Sequence, residues 1–303
     1  MIIQNDVLSL WFKLSIQNLK SKKQVINTIN LFPVADSDTG NNIIMTLEEA
    51  YEMFIKQSNE LDLDDYLTLI SHSVLLSARG NSGIILSEVV SSICESFSGR
   101  NELDIETLGG AFKLADSRAR QSISHPVDGT ILDITRSASN FFKDTNLDDI
   151  FSVTNEASQD LYISLFNTSQ IIPVLKNAGV VDAGAYCLTI IYDSLFDVIN
   201  NVNRGPVDID MPSSLKLNTL TNKVVASEPF QYEVMFNCMY DDYLVDMKRE
   251  LEGISSEIVI TGGPDICKIH FHTYNLGKCV ETVYNYCSPK GLQIHAISIY
   301  NVQ

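Results

Sequence analysis

The sequence predicts two domains, an all-α domain followed by a smaller α+β domain, and two observations support this division. Apolar residues recur at helical spacing through residues 1–201, whereas strand-like and helical patterns alternate within residues 228–303. Between these parts, residues 202–227 combine glycine and prolines with several Asn, Ser and Thr residues, which is typical of a linker. We therefore expect a helical domain at 1–201, a linker at 202–227 and a second domain at 228–303.

The helical pattern of the first domain occurs eight times. The segments begin near Leu8, Ile43, Leu67 and Ile84 and continue as Leu108–Ala119, Ile131–Phe141, Asn155–Phe166 and Ala183–Ile199. No convincing strand pattern interrupts them, so an all-α bundle or an α-barrel is expected.

The second domain follows the order β-α-β-β-α-β. Its predicted strands are Phe230–Cys238, Glu257–Thr261, Ile266–Thr273 and Leu292–Tyr300, and its predicted helices are Asp241–Leu251 and Leu276–Tyr286. The turn residues Gly262 to Asp265 separate the second and third strands. This order matches a ferredoxin-like split βαβ unit.

The composition is that of a globular protein with a strong excess of acid. The 303 residues include 38 Asp and Glu against 21 Lys and Arg, a net charge of −17. Such a charge repels nucleic-acid backbones and anionic membrane surfaces, so we do not expect nucleic-acid binding. Neither an apolar run of about 18 residues nor a signal-peptide pattern occurs, and we expect a cytoplasmic protein without an integral membrane segment. The six cysteines contain no C-x-x-C pair and are expected to be reduced.

The segment from Asn30 to Asn42, NLFPVADSDTGNN, carries the strongest chemical signal. Asp36 and Asp38 stand two residues apart, and a glycine and an apolar helix follow. Mg²⁺ takes carboxylate and phosphate oxygens as ligands, and a helix N-terminus favours a phosphate at the same place. The same residue types also form ordinary turns and N-caps, so a capped loop is the alternative.

Three further helix starts have the same polar, glycine-bearing character. They are SARGNSGI with Asn81, Ser82 and Gly83, HPVDGTIL with Gly129 and Thr130, and VVDAGA with Asp182 and Gly184. Small residues at a helix N-terminus let backbone N–H groups approach a phosphate. Each segment alone is more often an N-cap. If the four starts share one end of an up-down bundle, however, we expect them to form one anion site.

These four segments resemble the nucleotide-binding domain of the dihydroxyacetone kinase family, the DhaL-type fold. The resemblance is closest to the large subunit of bacterial fatty acid kinase, where the patterns are similar to NVFPVPDGDTGxNM, ARGNSGVILS, PVEGTIL and GVVDAGG. It covers residues from about 5 to 200. The second domain, with KIHFHT at 268–273, resembles the middle domain of the same protein.

The resemblance implies an eight-helix up-down barrel whose loops at one end hold ATP or ADP through two Mg²⁺ ions. It carries over Asp36 and Asp38 as catalytic metal ligands. Asn30 is the third candidate Mg²⁺ ligand, at the position where the dihydroxyacetone enzymes have an acid. The implied phosphate or nucleotide contacts are Thr39, Asn42, Asn81, Ser82, Gly83, Gly129 and Thr130, with Asp182 and Gly184 against the nucleoside.

The implied function is an ATP- and magnesium-dependent kinase that phosphorylates a fatty acid carried by a DegV-type partner. Phosphoryl transfer needs mainly positioning and charge neutralisation from the protein, so the lack of an obvious general base in these loops is compatible with it. The alternative is a non-catalytic protein that binds nucleotide and serves as a regulator or phosphoryl carrier. A scaffold with a decayed site is a third hypothesis.

The sequence departs from the family patterns at three points. Ser37 stands where the family has glycine between the acids, and Ala35 where it has proline. If residue 37 needs a positive φ, Ser costs about 1 kcal/mol more than Gly. The large subunits of fatty acid kinase also continue into a third domain, whereas this sequence stops at Gln303, so we expect a short family member or a fragment.

The second domain contains a candidate zinc site. His270 and His272 alternate with apolar residues, so a strand would place both imidazoles on one face. The family has a cysteine ligand in the first strand, and here Glu233 occupies that position, with Cys238 five residues later. Either residue could complete a Zn²⁺ site with the histidines, or the histidines simply face solvent. The second domain is also the candidate surface for a homodimer.

Overall fold

The computed structural model describes residues 2–209, 232–239, 241–262 and 265–296. The first of these ranges is helical, and its bounds are α1 (Asn5–Ile29), α2 (Thr39–Phe54), a 3-10 helix (Ile55–Gln57), α3 (Leu63–Ser77), α4 (Gly80–Phe97), α5 (Ile105–Ser122), α6 (Ile131–Asp144), α7 (Ile150–Ile171), α8 (Pro173–Ala178) and α9 (Ala183–Ile199). Eight of these α-helices correspond to the predicted segments. The short α8 is an addition, and it begins at a proline, which is favoured in the first turn of a helix.

The apolar stripes of these helices form one core. Helices that follow each other in the chain pack together from α1 to α7, and α9 packs against both α7 and α1. Nearly every residue of α9 is buried, so its polar groups need internal partners. The indole of Trp11 donates to the carbonyl of Ile191 over 2.9 Å and links α1 to α9. The first domain is therefore mostly helical as predicted, and its closure into a barrel stays an expectation.

The second domain is a four-stranded antiparallel sheet with two helices. Its elements are β1 (Tyr232–Cys238), α10 (Tyr243–Glu252), β2 (Ser256–Gly262), β3 (Cys267–Thr273), α11 (Leu276–Tyr286) and β4 (Lys290–Ala296). The strand order is β2-β3-β1-β4, and each neighbouring pair is antiparallel. Alternate residues of the strands, such as Phe236 and Phe271, pack with the helices in a separate apolar core. The ferredoxin-like assignment stays a prediction, and residues 297–300 of its last strand lie outside the described residues.

The linker is described only at its beginning. Residues 202–209 have no regular secondary structure, and residues 210–227 lie outside the described ranges. Arg204 holds the described part against α9 through ion pairs with Asp193 and Asp197. The turn residues 263 and 264 likewise lie outside the description.

The second domain docks on α4 and on the end of α5. The backbone N–H of Ser124 donates to the carbonyl of Ile258 over 3.2 Å. Ala78, Ile84, Met235 and Val259 form a small apolar cluster across the boundary. Further bonds join Glu88 to Thr261 and Gly262, and Lys268 to the carbonyl of Leu76. These contacts set the face of the sheet that carries His270 and His272 against the helical domain.

None of the described helices combines the length and the apolar character that a bilayer-spanning segment needs.

Candidate functional site

The two acids of the predicted metal site lie on the loop that joins α1 to α2. Asp38 occupies the position just before α2, but its side chain accepts no capping hydrogen bond from that helix. Asp36 Oδ1 accepts a hydrogen bond of 2.6 Å from the amide nitrogen of Asn30. Ser37 has φ +61°, the left-handed conformation that favours glycine, so the cost foreseen for a serine applies. The carboxylate of Asp38 therefore does not cap α2, and the side chain of Asn30 holds the carboxylate of Asp36 by a hydrogen bond.

Burial and mutual repulsion make this acid pair unfavourable without a cation. Burial, followed by the charge of Asp38, raises the pKa of Asp36 to about 8. Burial also raises the pKa of Asp38, and the charge of Glu233 adds to that effect. Two carboxylates held this close cannot both ionise without a compensating positive charge. A divalent cation would supply it, and oxygen donors of this kind suit Mg²⁺.

Glu233, near the start of β1, extends the acid cluster from the second domain. Its Oε1 lies 2.8 Å from Nε2 of His270, and its Oε2 lies 3.3 Å from Nδ1 of His295. Burial opposes ionisation of Glu233, but the hydrogen bond from His270 and the histidine charges outweigh it and lower its pKa to about 2. Ligand atoms of Glu233, His270 and His272 all lie within 4.8 Å of one another. These three side chains have the chemistry and spacing of a metal-binding group.

Cys238 does not belong to this cluster. On β1 it pairs with Cys267, whereas Glu233 pairs with His272 at the other end of the strand. Five residues separate Cys238 from Glu233, so strand alternation places the two side chains on opposite faces. Cys238 packs in the apolar core between the sheet and its helices. The idea that a register shift would bring Cys238 to the histidines is therefore wrong.

A cavity of about 450 Å³ lies beside the acid cluster and between the two domains. Its lining includes residues from all four predicted helix starts, namely Thr39, Asn81, Ser82, Thr130, Asp182 and Gly184. A smaller cavity of about 40 Å³ is lined by Asp36, Asp38 and Glu233. The two cavities share lining residues, among them Val34 and Glu257, so they adjoin. The structure thus places the four helix starts and the acids around one continuous region.

The starts of α2 and α4 are open. The residue before each helix does not cap it with its side chain. In α2 the N–H of Gly40 donates to Oδ1 of Asn27 over 2.9 Å, and the N–H groups of Thr39 and Asn41 have no such partner among the described residues. Among the described residues, the hydroxyl groups of Thr39 and Ser82 have no hydrogen-bond partner, and both residues line the larger cavity. These two starts therefore offer N–H and O–H donors to a ligand.

The starts of α6 and α9 are closed by their own side chains. Thr130 and Asp133 form a capping box, in which Asp133 Oδ2 accepts from the N–H of Thr130 over 3.0 Å. Asp182 Oδ1 accepts from the N–H of Ala185 over 2.7 Å and caps α9. Burial raises the pKa of Asp182 to about 7. For these two segments the capping alternative describes the geometry, although both still line the cavity.

Two of the remaining predicted contacts have packing or supporting roles. A Cβ atom at Gly83 would lie 2.7 Å from Oγ1 of Thr46, so glycine is needed where α4 approaches α2. The side chain of Asn42 forms a hydrogen bond with Asp38. It also lies close to Gly80, because a Cβ atom added at Gly80 would be 2.8 Å from Nδ2 of Asn42. Asn42 therefore lines the acid cavity as a support of Asp38.

Residues 33–197, which are more than half of the chain, match the DAK2 domain. The chain belongs to the DAK2 domain family. Residues 229–300 match a second family, the FakA-like middle domain, which is described by its likeness to fatty acid kinase. The acid loop, the open helix starts and most of the larger cavity thus lie in the DAK2 domain, and Glu233, Glu257 and both histidines lie in the middle domain.

The relatives of this DAK2 protein include longer proteins. An uncharacterized protein of Staphylococcus saprophyticus is 26% identical over 290 residues, which cover 91% of this chain and 51% of the relative. An uncharacterized protein of Staphylococcus aureus strain USA300 is 25% identical over 288 residues, with the same coverage of 91% and 51%. The chain spans about half the length of the curated relatives it matches. A crystal structure of the dihydroxyacetone kinase from C. freundii, in complex with AMP-PNP and Mg²⁺, aligns with a TM-score of 0.48 at 16% identity, over 65% of this chain and 34% of that chain.

Glu257 is a residue of the site that the sequence patterns do not reveal. It begins the second strand of the middle domain, where the sequence suggests only a strand end, yet it lines both cavities. Its carboxylate accepts a hydrogen bond of 2.9 Å from the amide of Asn81 in the DAK2 domain. The one available signal is an acid beside a strand, which is too common to single out a residue.

Proposed function

We propose that this DAK2 protein binds ATP with Mg²⁺ and transfers its γ-phosphoryl group. The observation that carries the proposal is the pairing of two open helix starts with a cluster of carboxylates around one region of adjoining cavities. Helix N-termini bind phosphates through N–H groups and the helix dipole, and carboxylates bind Mg²⁺. We propose further that the acceptor is a fatty acid carried by a DegV-type partner, because the second domain matches a middle domain of the fatty acid kinase type.

The charge of the lining supports a nucleotide bound together with a cation. No lysine or arginine is among the residues that line the two described cavities. Apart from the histidines His125 and His272, the donors that these described linings offer to the phosphates of ATP are neutral. They are N–H groups at the starts of α2 and α4 and the hydroxyls of Thr39 and Ser82. Asp36 and Asp38 would hold the cation.

When held by Asp36 and Asp38, Mg²⁺ would neutralise negative charge during transfer. The protein residues do the positioning. The hydrogen bond from Asn30 holds the carboxylate of Asp36, and the contact with Asn42 holds that of Asp38. The apolar part of the larger cavity, with Phe32, Ile85 and Ile131, would take the nucleoside and exclude water.

We propose that Glu233, His270 and His272 hold a separate Zn²⁺ ion. Imidazole nitrogens and a carboxylate oxygen are common zinc ligands, and three protein ligands leave a position open. Zinc content measured after dialysis against a weak chelator tests this proposal. We expect about one equivalent in the wild type and a large loss in His272→Ala, while equal content in both proteins would reject the site.

The function is tested first by nucleotide binding. We expect MgATP to raise the melting temperature of the wild type, and we expect Asp36→Ala or Asp38→Ala to abolish that rise. Glu60→Ala changes an exposed acid outside the cavities and serves as the control. The absence of stabilisation in the wild type would reject the proposal.

The second test is transfer of labelled γ-phosphate from ATP to an oleate-loaded DegV-type partner. Labelling that depends on Mg²⁺ and on Asp36 supports the kinase. Nucleotide binding without any transfer to an intact partner would instead support a regulatory or phosphoryl-carrier role.

A further inference from the structure

Glu257 has a backbone conformation that is unusual for its residue type. Its φ is +51°, and it lies in a β-bulge where the pairing of β2 with β3 shifts between Ser256 and Val259. A non-glycine residue in the left-handed region carries strain that the surrounding structure must hold in place. Ser37 also has a positive φ, and it stands in the chain between Asp36 and Asp38, which line the smaller cavity together with Glu257. The two domains thus each contribute one strained residue to the same small region.

The side chain of Glu257 acts on the start of α4. Its Oε2 accepts from Nδ2 of Asn81 over 2.9 Å, and Oδ1 of Asn81 lies 2.6 Å from Nδ1 of His270. Both ends of the Asn81 amide are therefore held by the second domain. Asn81 is the second residue of α4 and precedes Ser82, whose hydroxyl is free among the described residues. The second domain in this way fixes the first turn of an open helix start.

We propose that Glu257 is a positioning residue of the nucleotide site, through which the second domain sets the affinity for nucleotide. It acts by holding Asn81 and with it the N–H groups and the Ser82 hydroxyl at the start of α4. This inference rests on the proposed nucleotide function and extends it to a residue of the other domain.

A purely structural role does not account for this residue. The domain boundary already has an apolar cluster, a backbone hydrogen bond and the contacts of Glu88 with Thr261 and Gly262. A glycine at position 257 would remove the backbone strain. It would also remove the bond to Asn81 and the contact of 3.3 Å between Oε2 and Nδ1 of His272, so the glutamate is explained by what its carboxylate holds.

The test measures the dissociation constant of Mg–ADP by calorimetry on the full chain. We expect Glu257→Ala to weaken binding at least about tenfold, the effect of one hydrogen bond to a charged group. Glu257→Gln keeps an acceptor for Asn81 and should stay within about threefold of the wild type. Glu257→Gly should raise the melting temperature of the ligand-free protein and still weaken binding about tenfold, a combination that a structural role does not produce.

Two further variants show whether Glu257 affects nucleotide affinity through Asn81 or through domain docking in general. The double variant Asn81→Ala, Glu257→Ala should bind no more weakly than Asn81→Ala alone, because Glu257 acts through Asn81. Glu88→Ala weakens the domain boundary away from both cavities and should leave affinity within about threefold.

Wild-type binding with an unchanged constant in Glu257→Ala would overturn this inference and leave the proposed function standing. An equal loss in Glu88→Ala would also overturn it, since domain docking in general would then be the cause. Absence of binding by the wild type would overturn both.

Discussion

The starts of α2 and α4 differ from the starts of α6 and α9, although the sequence makes all four look alike. Each has a polar, glycine-bearing segment before an apolar helix, and each borders the same cavity. The first two lack a side-chain cap, whereas Thr130 and Asp182 close the other two. The open starts are also the ones beside the carboxylates. Two starts therefore keep their donors for a ligand, and two use them for helix stability.

The difference shows that the choice between an N-cap and a ligand site is made by tertiary contacts. Asp38 and Asp182 are the same residue type in the same position before a helix. Asp182 is buried against its own helix and accepts its N–H group, whereas Asp38 lies beside Asp36, Glu233 and Asn42. Local sequence contains the capping chemistry, but only the fold decides which groups stay available.

The largest expected effect comes from the open start of α2. Asp36→Asn should weaken Mg–nucleotide binding by more than about 100-fold, because even the supporting partners of metal ligands account for about 10–100-fold. Without a cation Asp36 must take up a proton when the protein folds, because its pKa rises to about 8, and asparagine removes that cost. In EDTA the melting temperature should therefore rise by roughly 2–4 °C, the shift of about 1 kcal/mol in a chain of this size. Calorimetry and thermal melts measure the two effects.

Asp148→Asn is the matched control, since Asp148 is exposed and lies away from the cavities. It should change neither binding nor melting temperature. A loss of stability in Asp36→Asn under EDTA would show that the carboxylate stabilises the folded protein. The acid loop before α2 would then have the same stabilising role as the caps of α6 and α9.

The helices and strands of both domains could be predicted because they follow from local periodicity. Eight helical segments and the order of strands and helices in the second domain follow from apolar spacing alone. The short α8 escapes this reasoning, since six residues that begin at Pro173 are too few to show a period. The docking of the sheet on α4 also escapes it, because the contact of Ile123 with Val259 joins residues that are distant in sequence.

The candidate site could be predicted only where its residues share one segment. Asp36, Asp38 and Ser82 stand in polar helix starts, and the structure places these starts around one region. The approach of Glu233 and Glu257 depends on domain docking and on a β-bulge, which no spacing pattern records. The separation of Cys238 from the histidines follows from strand alternation, which does decide between Cys238 and Glu233 once the register is known.

The closed start of α9 should reveal itself in the pH dependence of stability. Burial raises the pKa of Asp182 to about 7, above its value of 3.8 in an unfolded chain. The folded protein then holds a proton that the unfolded chain has lost, so this group stabilises below pH 4 and its contribution falls as pH rises towards 7. The slope is at most about 1.4 kcal/mol per pH unit. Asp182→Asn should remove it, giving a difference of about 2 kcal/mol between pH 5 and 7 in urea unfolding.

The nucleotide affinity of Asp182→Asn provides the comparison with the open starts. Because the carboxylate already accepts from the helix, affinity at constant pH should stay within about threefold of the wild type. A loss of binding beyond tenfold would place α9 among the starts that hold the ligand.

At the open start of α4 we expect a change in nucleotide affinity without a change in stability. Ser82→Ala removes a hydroxyl without a partner among the described residues, so the free energy of unfolding should not change. Binding of MgATP should weaken about tenfold, because the hydroxyl would donate to a charged phosphate. Ser92→Ala is the control on the same helix, since the Ser92 hydroxyl donates to the carbonyl of Glu88 over 2.8 Å. Equal binding by Ser82→Ala and the wild type would remove this hydroxyl from the site.

The smallest effect is expected at the closed start of α6, where Thr130→Val removes a hydroxyl that the helix uses. The Thr130 hydroxyl accepts from the N–H of Leu132 over 3.4 Å and donates to the carbonyl of Val127 over 2.8 Å. Loss of such a cap costs about 1 kcal/mol, which urea unfolding resolves. Thr130→Ser keeps the hydroxyl and should restore most of that stability.

Nucleotide affinity should stay within about threefold in both variants, because the Thr130 hydroxyl and the N–H of Thr130 are already used in the capping box. A tenfold loss of affinity in Thr130→Val with unchanged stability would mean that ligand binding opens this cap, and all four helix starts would then act as one site.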